Sequence, residues 1–326
     1  MPQFDLFCIG DSAIDQFLRI DPLSLESSTG RFCFTHGAKI PVDSFSSSIA
    51  GNAINVSVHA SFLGMKVGVY TVVGKDPNGE RIKTELSTRN IDVGFIDEVS
   101  GANTNVHAVI SANEERTIFS YHEKRDYSME QWPKTKWLFY SSLAKGFEDF
   151  QEKVVAYIKD NPEVGVLFNP GTLQMQAGVT RLANILSVTH VLFVNENEAM
   201  KLVGADIVEF SLSNEYLLDL HKKLNNLGPK VSVITLGLYG ASCYDGKDFI
   251  RIKAFEDPRP VVDKTGAGDA FTGAFIAGLY HNKSLKECMK LGSINSSETI
   301  RVVGSINGTC SLSTLETLSK GIELQI

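Results

Sequence analysis

Several features of other protein classes are missing from this chain of 326 residues. With 31 Lys and Arg against 38 Asp and Glu, the formal net charge is −7, so the chain lacks the positive field that nucleic-acid binding requires. Its five cysteines lie far apart with no CxxC pair, which argues against a disulfide framework and a clustered zinc site. We therefore interpret the cysteines as reduced thiols and expect no nucleic-acid partner.

A secretory leader and a membrane span are also missing from the pattern. The N-terminus MPQFDLFCIGD has no basic region and reaches Asp11 before a long apolar run can form. The stretch 44–65 carries no charge, but Asn52, Asn55, His59 and many serines make it too polar for a span. These features predict a cytoplasmic protein with no membrane partner.

Short β-branched or aromatic runs alternate with segments of helical period along most of the chain. The predicted strands are FDLFCIG, VGVYTVVG, KWLFYSSL, VGVLFNP, HVLFVNENEA and VSVITLG. This alternation indicates βαβ units, and so an α/β fold with a doubly wound, mostly parallel sheet flanked by helices. We predict a single domain over residues 1–326, with its binding crevice at the carboxyl ends of the strands.

Two segments break the βαβ pattern. Residues 17–48 show no helical periodicity, and residues 104–121 contain NVHAVISANEERTIFSY, which predicts a hairpin turning at Asn113 and Glu114. A few strands inserted in this way would form a small β-sheet. We predict that this sheet is a lid over the crevice.

The most informative stretch runs from Val262 to Phe275. A small, flexible turn, Thr265 to Gly268, feeds a predicted helix over 270–280, and a glycine turn at a helix N-terminus leaves backbone N–H groups free to bind an anion. Asp269 at this position could be an ordinary N-cap. The flanking glycines favour an anion hole with a carboxylate beside it, which would serve as general base in phosphoryl transfer.

The sequence does not match the other common signatures of nucleotide-binding proteins and hydrolases. The run from Gly240 to Asp248 has one residue too many for a Walker A loop, and a dinucleotide pattern started at Gly266 meets Phe271 where its third glycine should be. HExxH, GxSxG and EF-hand patterns are also missing from the sequence. P-loop and dinucleotide-dependent enzymes are therefore not supported.

The stretch DKTGAGDAFTGAF resembles the second signature, D-T-x-G-A-G-D-x-F, of the ribokinase-like (PfkB) family of carbohydrate and nucleoside kinases. In this chain Lys264 stands between Asp263 and Thr265, so the threonine lies one position later than in the signature. The run from Ala50 to Ser57, followed by Leu63 and Gly64, resembles the first signature, G-G-x-x-x-N-x-A, with Ala50 and Ser57 as departures. Further similar motifs follow in the family's order across nearly the whole chain: GDSAID at 10–15, VGKD with GE at 73–80, NENE at 195–198 and TLGLYGA at 235–241.

The resemblance implies roles for specific residues. Asp269 would be the catalytic base and Gly266, Ala267 and Gly268 the anion-hole amides. The acceptor would be bound by Asp11, Asp15, Gly51 and Asn55. Asn195 and Glu198 would organise Mg²⁺ through water, and Thr235, Gly237 and Gly240 would line ATP. A monovalent cation, K⁺, is implied at Asp263, Thr265, Thr299, Val302 and Gly304.

Without the resemblance, several of these residues have plainer interpretations. Asn195 and Glu198 could be a helix N-cap and a first-turn carboxylate, Asp15 a loop cap, and Thr235 to Gly240 a strand-end turn. Both interpretations stay open on the sequence alone.

The acceptor is predicted to be a small sugar phosphorylated on a hydroxymethyl group, as in ribokinases and fructokinases. Aromatic residues in and near the predicted lid keep a nucleoside acceptor open, since they could stack on a base; they could equally be lid core or a homodimer interface. These residues are Phe17, Phe32, Phe34, Phe45, Phe95 and Phe119. A catalytically silent sugar or nucleotide sensor is the alternative from another class, and an intact Asp269 argues against it.

Overall fold

A computed structural model describes residues 3–20, 26–28, 31–33, 36–112, 115–205, 211–322 and 324–325 of the chain. Its strands are β1 Phe4–Ile9, β2 Ala13–Arg19, β3 Glu26–Ser28, β4 Arg31–Cys33, β5 Ser44–Ala50, β6 Val67–Gly74, β7 Asp92–Val99, β8 Asn105–Ala112, β9 Glu115–Tyr121, β10 Thr135–Tyr140, β11 Gly165–Phe168, β12 Val191–Asn195, β13 Val231–Thr235, β14 Ala241–Tyr244, β15 Phe249–Ile252 and β16 Leu324–Gln325. Its helices are α1 Asn52–Phe62, α2 Pro77–Ser87, α3 Phe147–Asp160, α4 Thr172–Ala177, α5 Val179–Val188, α6 Glu196–Val203, α7 Asn214–Asn226, α8 Ala267–Tyr280, α9 Leu285–Thr299 and α10 Leu312–Ser319.

The main sheet has the order β16-β15-β14-β13-β12-β11-β10-β1-β6-β7. The strands from β13 to β7 pair in parallel, and β14, β15 and β16 extend the sheet with antiparallel pairings. This confirms the doubly wound, mostly parallel sheet. The chain order reverses at β1, so the residues that follow β1 lie at the switch point, where ligands bind in such folds.

Helices cover both faces of the main sheet because its strands are apolar on both sides. In β1, Leu6 and Cys8 belong to the core that also contains residues of α1, α8 and α9, whereas Phe7 and Ile9 belong to the core formed with α3, α5 and α7. This burial on both faces explains why the sequences of the parallel strands are nearly continuous hydrophobic runs. Among the described helices, none has the length and apolar character needed to cross a membrane.

A separate four-stranded sheet has the order β5-β2-β8-β9. Strands β8 and β9 form the hairpin that the alternation predicts; its predicted turn residues, Asn113 and Glu114, lie outside the described residues. Strand β2 begins at Ala13, where it already pairs with β5 on one side and with β8 on the other. Asp15 is therefore a residue of this sheet, which we call the lid sheet.

Candidate active site

The glycine turn before α8 has the geometry of an anion-binding helix N-terminus. Gly266 is the N-cap with φ +77°, and a Cβ at this position would overlap with Ser305. At Gly268 no atom lies within 4 Å of where a Cβ would be, so a ligand can approach the backbone closely. The first N–H groups of a helix have no partner within it, so those of α8 are available to an anion.

Asp269 lies in the first turn of α8, not at its N-cap. The N-cap interpretation of Asp269 is therefore wrong. Its Oδ2 accepts a hydrogen bond of 2.7 Å from Asn55 Nδ2 of α1. Burial raises the pKa of Asp269 to about 7, opposed by the Asn55 hydrogen bond and assisted by the negative charges of Glu198 and Asp15. Three predicted site residues are thus close enough to Asp269 to affect its protonation.

Asn55 is fixed by partners that the sequence analysis did not identify. Ser305 Oγ donates to Asn55 Oδ1 over 2.8 Å, and the Ser305 carbonyl lies 3.0 Å from His59 Nε2. Burial lowers the pKa of His59 to about 4, so its imidazole is neutral at physiological pH. This chain of contacts orients the Asn55 amide so that its NH₂ group points to Asp269.

On the acceptor side, Asp15 is paired with a histidine of the neighbouring lid strand. His107 Nδ1 lies 2.8 Å from Asp15 Oδ1, because β2 and β8 pair in parallel with these two residues in register. The loop-cap interpretation of Asp15 is excluded, since the residue lies within β2. His107 Nε2 is buried and has no hydrogen-bond partner among the described residues.

Asp11 follows β1 at the switch point and is buried. Its Oδ1 accepts a hydrogen bond of 2.6 Å from the Tyr127 hydroxyl, while its Oδ2 has no partner in the described part of the chain. Burial raises the pKa of Asp11 to about 7, and the Tyr127 hydrogen bond and the Arg125 charge oppose this. Gly51, at the start of α1 with φ +117°, packs directly on the Asp11 carbonyl, where a Cβ would not fit.

The motif at the start of α6 forms the helix cap of the plainer interpretation. Asn195 Oδ1 accepts from the Glu198 N–H and Glu198 Oε2 accepts from the Asn195 N–H, each over 2.9 Å. This is a capping box. Glu198 is also partly buried, which raises its pKa, and its charge raises the pKa of Asp269.

The predicted nucleotide loop lies beside this motif. Thr235 is the last residue of β13, and residues Gly237–Tyr239 form one 3₁₀ turn. Its first residue, Gly237, and the residue after it, Gly240, both have positive φ, at 56° and 88°. A cavity of about 410 Å³ lies between this turn and the first residues of α6, Glu196 and Asn197. Its size lies in the range of small-ligand sites.

The predicted monovalent-cation residues partly come together. Asp263 accepts hydrogen bonds from Thr265 N, Thr265 Oγ1 and Gly304 N, over 2.9, 2.6 and 3.0 Å. The Val302 N–H donates to the Thr299 carbonyl, and Thr299 Oγ1 is buried without a partner among the described atoms. The oxygen donors suit K⁺, but both oxygens of Asp263 already accept hydrogen bonds.

A lid residue that the sequence analysis missed also reaches this turn. Arg116 of β9 donates from Nη1 to Thr265 Oγ1 over 2.9 Å, and the same nitrogen lies 3.7 Å from Asp263 Oδ1. The guanidinium therefore places a positive charge beside the predicted cation ligands. Its position just after a predicted hairpin turn gave no sign of this contact.

The register of the lid sheet decides which aromatic residues could face an acceptor. Phe45 pairs with Leu18, and Phe119 with Ala108, so both lie on the face opposite to Asp15. Phe95 packs edge-on against Phe4 and Phe7 in the main core. Phe17 lies two residues after Asp15 in β2, so its side chain is on the same face as Asp15, which we call the inner face. Phe17 is buried there. The side chain of Phe32 and all of Phe34 lie outside the described residues.

Residues 6–311 match the model of the pfkB family carbohydrate kinase. The chain is 25% identical over 297 residues to the ATP-dependent 6-phosphofructokinase of Thermoanaerobacterium thermosaccharolyticum, covering 87% of this chain and 88% of that protein. It is 29% identical to the cytidine kinase of Thermococcus kodakarensis, covering 78% and 88%. The structure of Arabidopsis thaliana ribokinase complexed with ribose and ATP superposes with a TM-score of 0.78 at 20% identity, covering 98% and 99%.

The chain belongs to the PfkB family, which confirms the resemblance seen in its two signatures. It is a carbohydrate or nucleoside kinase, an ATP-dependent phosphotransferase with an alcohol acceptor. Kinases of this family use ATP, typically with Mg²⁺.

Proposed function

We propose that this protein transfers the γ-phosphoryl group of ATP to a hydroxymethyl group of a small sugar. The observation that carries the proposal is the convergence of Asp269, Asn55 and Asp15 beside the open N-terminus of α8. Polar groups of this kind match the hydroxyls of a sugar, and a site with unpaired buried polar atoms strongly rejects acceptors that cannot satisfy them.

In the proposed reaction, Asp269 accepts the proton of the acceptor hydroxyl as its oxygen attacks the γ-phosphorus. The bond between the γ-phosphorus and the bridging oxygen of ADP breaks, so the products are ADP and the sugar phosphate. The N–H groups of Ala267 and Gly268 would hold the transferring group, whose charge they stabilise without reorganising. A base with a pKa of about 7 is well matched to this role at neutral pH.

The residues present fit the metal that the family typically uses. Glu198 is a partly buried carboxylate next to the site, with Oε2 engaged by the Asn195 N–H, and carboxylate oxygens suit hydrated Mg²⁺. Bound Mg²⁺ would neutralise phosphate charge. We further propose that Thr235, Gly237 and Gly240 line ATP and that Asp263 and the carbonyls near it hold K⁺.

Two of the lid aromatics are placed unfavourably for a nucleoside. Stacking on a base requires an aromatic ring on the inner face of the lid, and Phe45 and Phe119 lie on the other face, which leaves Phe17 as the described lid phenylalanine on the inner face. The likeness to the cytidine kinase makes a nucleoside the second candidate.

A homodimer through the lid is also part of the proposal. The outer face of the lid sheet exposes Phe45, Phe119 and Tyr121 at 61%, 56% and 48%. An apolar patch of this kind is typical of an interaction surface.

The test is a turnover screen of the purified protein with ATP and Mg²⁺ against pentoses, hexoses, adenosine and cytidine. We expect free sugars to be phosphorylated most efficiently. If nucleosides turn over about tenfold more efficiently than every free sugar, which is about 1.4 kcal/mol of transition-state binding, the sugar assignment is wrong.

A further inference from the structure

A buried histidine of α1 lies where four segments of the chain meet. His59 is fully buried and follows Asn55 by one helical turn, so the two side chains lie on the same side of α1. Gly273 of α8 packs against this histidine, since a Cβ at Gly273 would lie 2.6 Å from the Cβ of His59. Helix α9 and the segment 305–310 complete the surroundings of the ring.

The hydrogen bonds of His59 define the tautomer of its imidazole. Nε2 lies 3.0 Å from the carbonyl oxygen of Ser305, and a carbonyl only accepts, so Nε2 carries the hydrogen. Burial lowers the pKa of His59 to about 4, which leaves the ring neutral and makes Nδ1 an acceptor. Nδ1 then accepts from the Thr309 hydroxyl over 2.5 Å and from the Asn295 amide over 3.3 Å. Both ring nitrogens are therefore bound within the protein.

Ser305 connects this ring to the proposed catalytic groups. Its hydroxyl donates to Asn55 Oδ1 over 2.8 Å, which leaves Asn55 Nδ2 to donate to Asp269. Ser305 also packs on the turn before α8, because a Cβ at Gly266 would lie 2.3 Å from the Ser305 Cβ. One residue held by His59 thus contacts both the amide that binds the proposed base and the N-cap of the anion-hole helix.

Asn295 of α9 forms a second connection from the ring to α8. Its Nδ2 donates to the Ala270 carbonyl, in the first turn of α8, over 2.9 Å. Its Oδ1 accepts from the Cys310 N–H over 3.4 Å. An unpaired buried polar group is costly, so each member of this network restricts the position of the next one.

We propose that His59 is a positioning residue for phosphoryl transfer, acting through Ser305 on the Asn55 amide and on the turn before α8. The inference rests on the proposed role of Asp269 as the general base. Without the ring, the Ser305 carbonyl is released and the Asn55 amide is held less firmly against Asp269. A weaker hydrogen bond to the ionised carboxylate raises its pKa.

The effect on Asp269 is one of geometry and not of charge. The charged groups that act on Asp269 are Glu198 and Asp15, and the neutral ring of His59 adds no charge to them. Replacing His59 therefore leaves these charges in place and changes only how the Asn55 amide is held. A shift in the protonation of Asp269 reports this change, whereas a purely structural role of His59 predicts a loss of folded protein with no such shift.

The test is the pH profile of kcat/KM for the full-length enzyme with ATP, Mg²⁺ and the best acceptor of the turnover screen. In His59→Ala we expect the acidic limb, where kcat/KM falls with falling pH, to move up by about one pH unit, or about tenfold in rate at acidic pH. His59→Gln keeps one donor and one acceptor in its amide and should recover most of this shift. Ser305→Ala removes the hydroxyl that holds Asn55 and should reproduce the shift even if His59→Ala does not fold.

A second histidine between the same two helices provides the matched control. His281 is the C-cap of α8, and its Nε2 lies 3.1 Å from the carbonyl of Leu63, the C-cap of α1. His281→Ala therefore removes a contact between α1 and α8 at the ends far from Asp269. We expect the acidic limb of this variant to stay at the wild-type position.

An acidic limb that does not move in folded His59→Ala and Ser305→Ala overturns the inference. A shift of equal size in His281→Ala also overturns it, because any loosening of the two helices would then be sufficient. Failure of the proposed function has a different signature. Near-wild-type turnover in Asp269→Asn, or a wild-type profile without an acidic limb, removes Asp269 as the base and the inference with it.

Discussion

Asn55 Nδ2 and Asp269 Oδ2 lie 2.7 Å apart although 214 positions separate the two residues in the chain. The hydrogen bond joins the first turns of α1 and α8, and therefore the two parts of the sequence that carry the family signatures. It stabilises the ionised form of a partly buried carboxylate. The proposed base is thus tuned by the segment that is expected to bind the acceptor.

Replacing the proposed base tests its role directly. We expect Asp269→Asn to reduce kcat by about 10²–10⁴-fold, the usual contribution of a general base, with little change in the affinity for ATP. Steady-state kinetics and calorimetric titration with ATP measure the two quantities. Near-wild-type turnover in Asp269→Asn would remove this residue from the mechanism.

The pH dependence of kcat/KM follows from the raised pKa of Asp269. A base must be deprotonated to act, so kcat/KM should fall about tenfold per pH unit below its pKa of about 7. The Glu198 charge contributes to this raised value. Glu198→Gln should therefore move the acidic limb of the profile to lower pH and also raise the Mg²⁺ concentration required. An acidic limb that does not move would contradict the proposed coupling.

Removing either member of the Asp15 and His107 pair should affect the acceptor but not the donor. Asp15→Ala leaves acceptor hydroxyls unpaired, at a cost in kcat/KM of about 1–3 kcal/mol. His107→Ala should cost less, because it removes only a group that orients Asp15. Initial rates at varied acceptor and varied ATP separate the two KM values, and a rise confined to the KM for ATP would contradict this assignment.

Two glycines with positive φ differ in the space around them, which makes them a useful pair for stability measurements. Gly51 has φ +117° and contacts the Asp11 carbonyl, whereas Gly64 has φ +93° and open space around it. Gly64→Ala should lower the free energy of unfolding by about 1–3 kcal/mol through backbone strain alone. Gly51→Ala should lower it further, since the overlap adds to the strain. Urea unfolding measures both free energies. Equal losses in the two variants would show that the overlap between the new Cβ at position 51 and the Asp11 carbonyl is relieved without a cost in stability.

The proposed homodimer is tested on the outer face of the lid. Phe119→Ser should shift sedimentation from dimer to monomer, because it removes an aromatic group that is 56% exposed on this face. Phe62→Ser at the end of α1 is the control, as Phe62 is 60% exposed away from the lid sheet. A wild-type protein that sediments as a monomer, or a Phe119→Ser variant that remains dimeric, contradicts the proposal.

The sequence predicts a structural feature well where one short segment of the chain defines that feature. The glycine turn at 265–268 predicts an anion-binding helix start, and the structure places Gly266 at the N-cap of α8. The extent of a strand is harder to read from one segment: β2 pairs from Ala13 onward and so includes Asp15, although the break in the βαβ pattern is visible only from about residue 17. A strand that alternates between a covered and a solvated face continues for as long as it finds a partner, and the partner of β2 is distant in sequence.

The sequence by itself determined the fold class, the family and most of the residues that converge near Asp269, because strand and helix periods and glycine turns are local properties of the chain. Only the tertiary structure decided the partners of those residues. His107 meets Asp15, Ser305 orients Asn55, and Arg116 reaches Thr265 through contacts between segments far apart in sequence. Side-chain partners and pKa values depend on strand register and burial, and both are set when distant segments pack together.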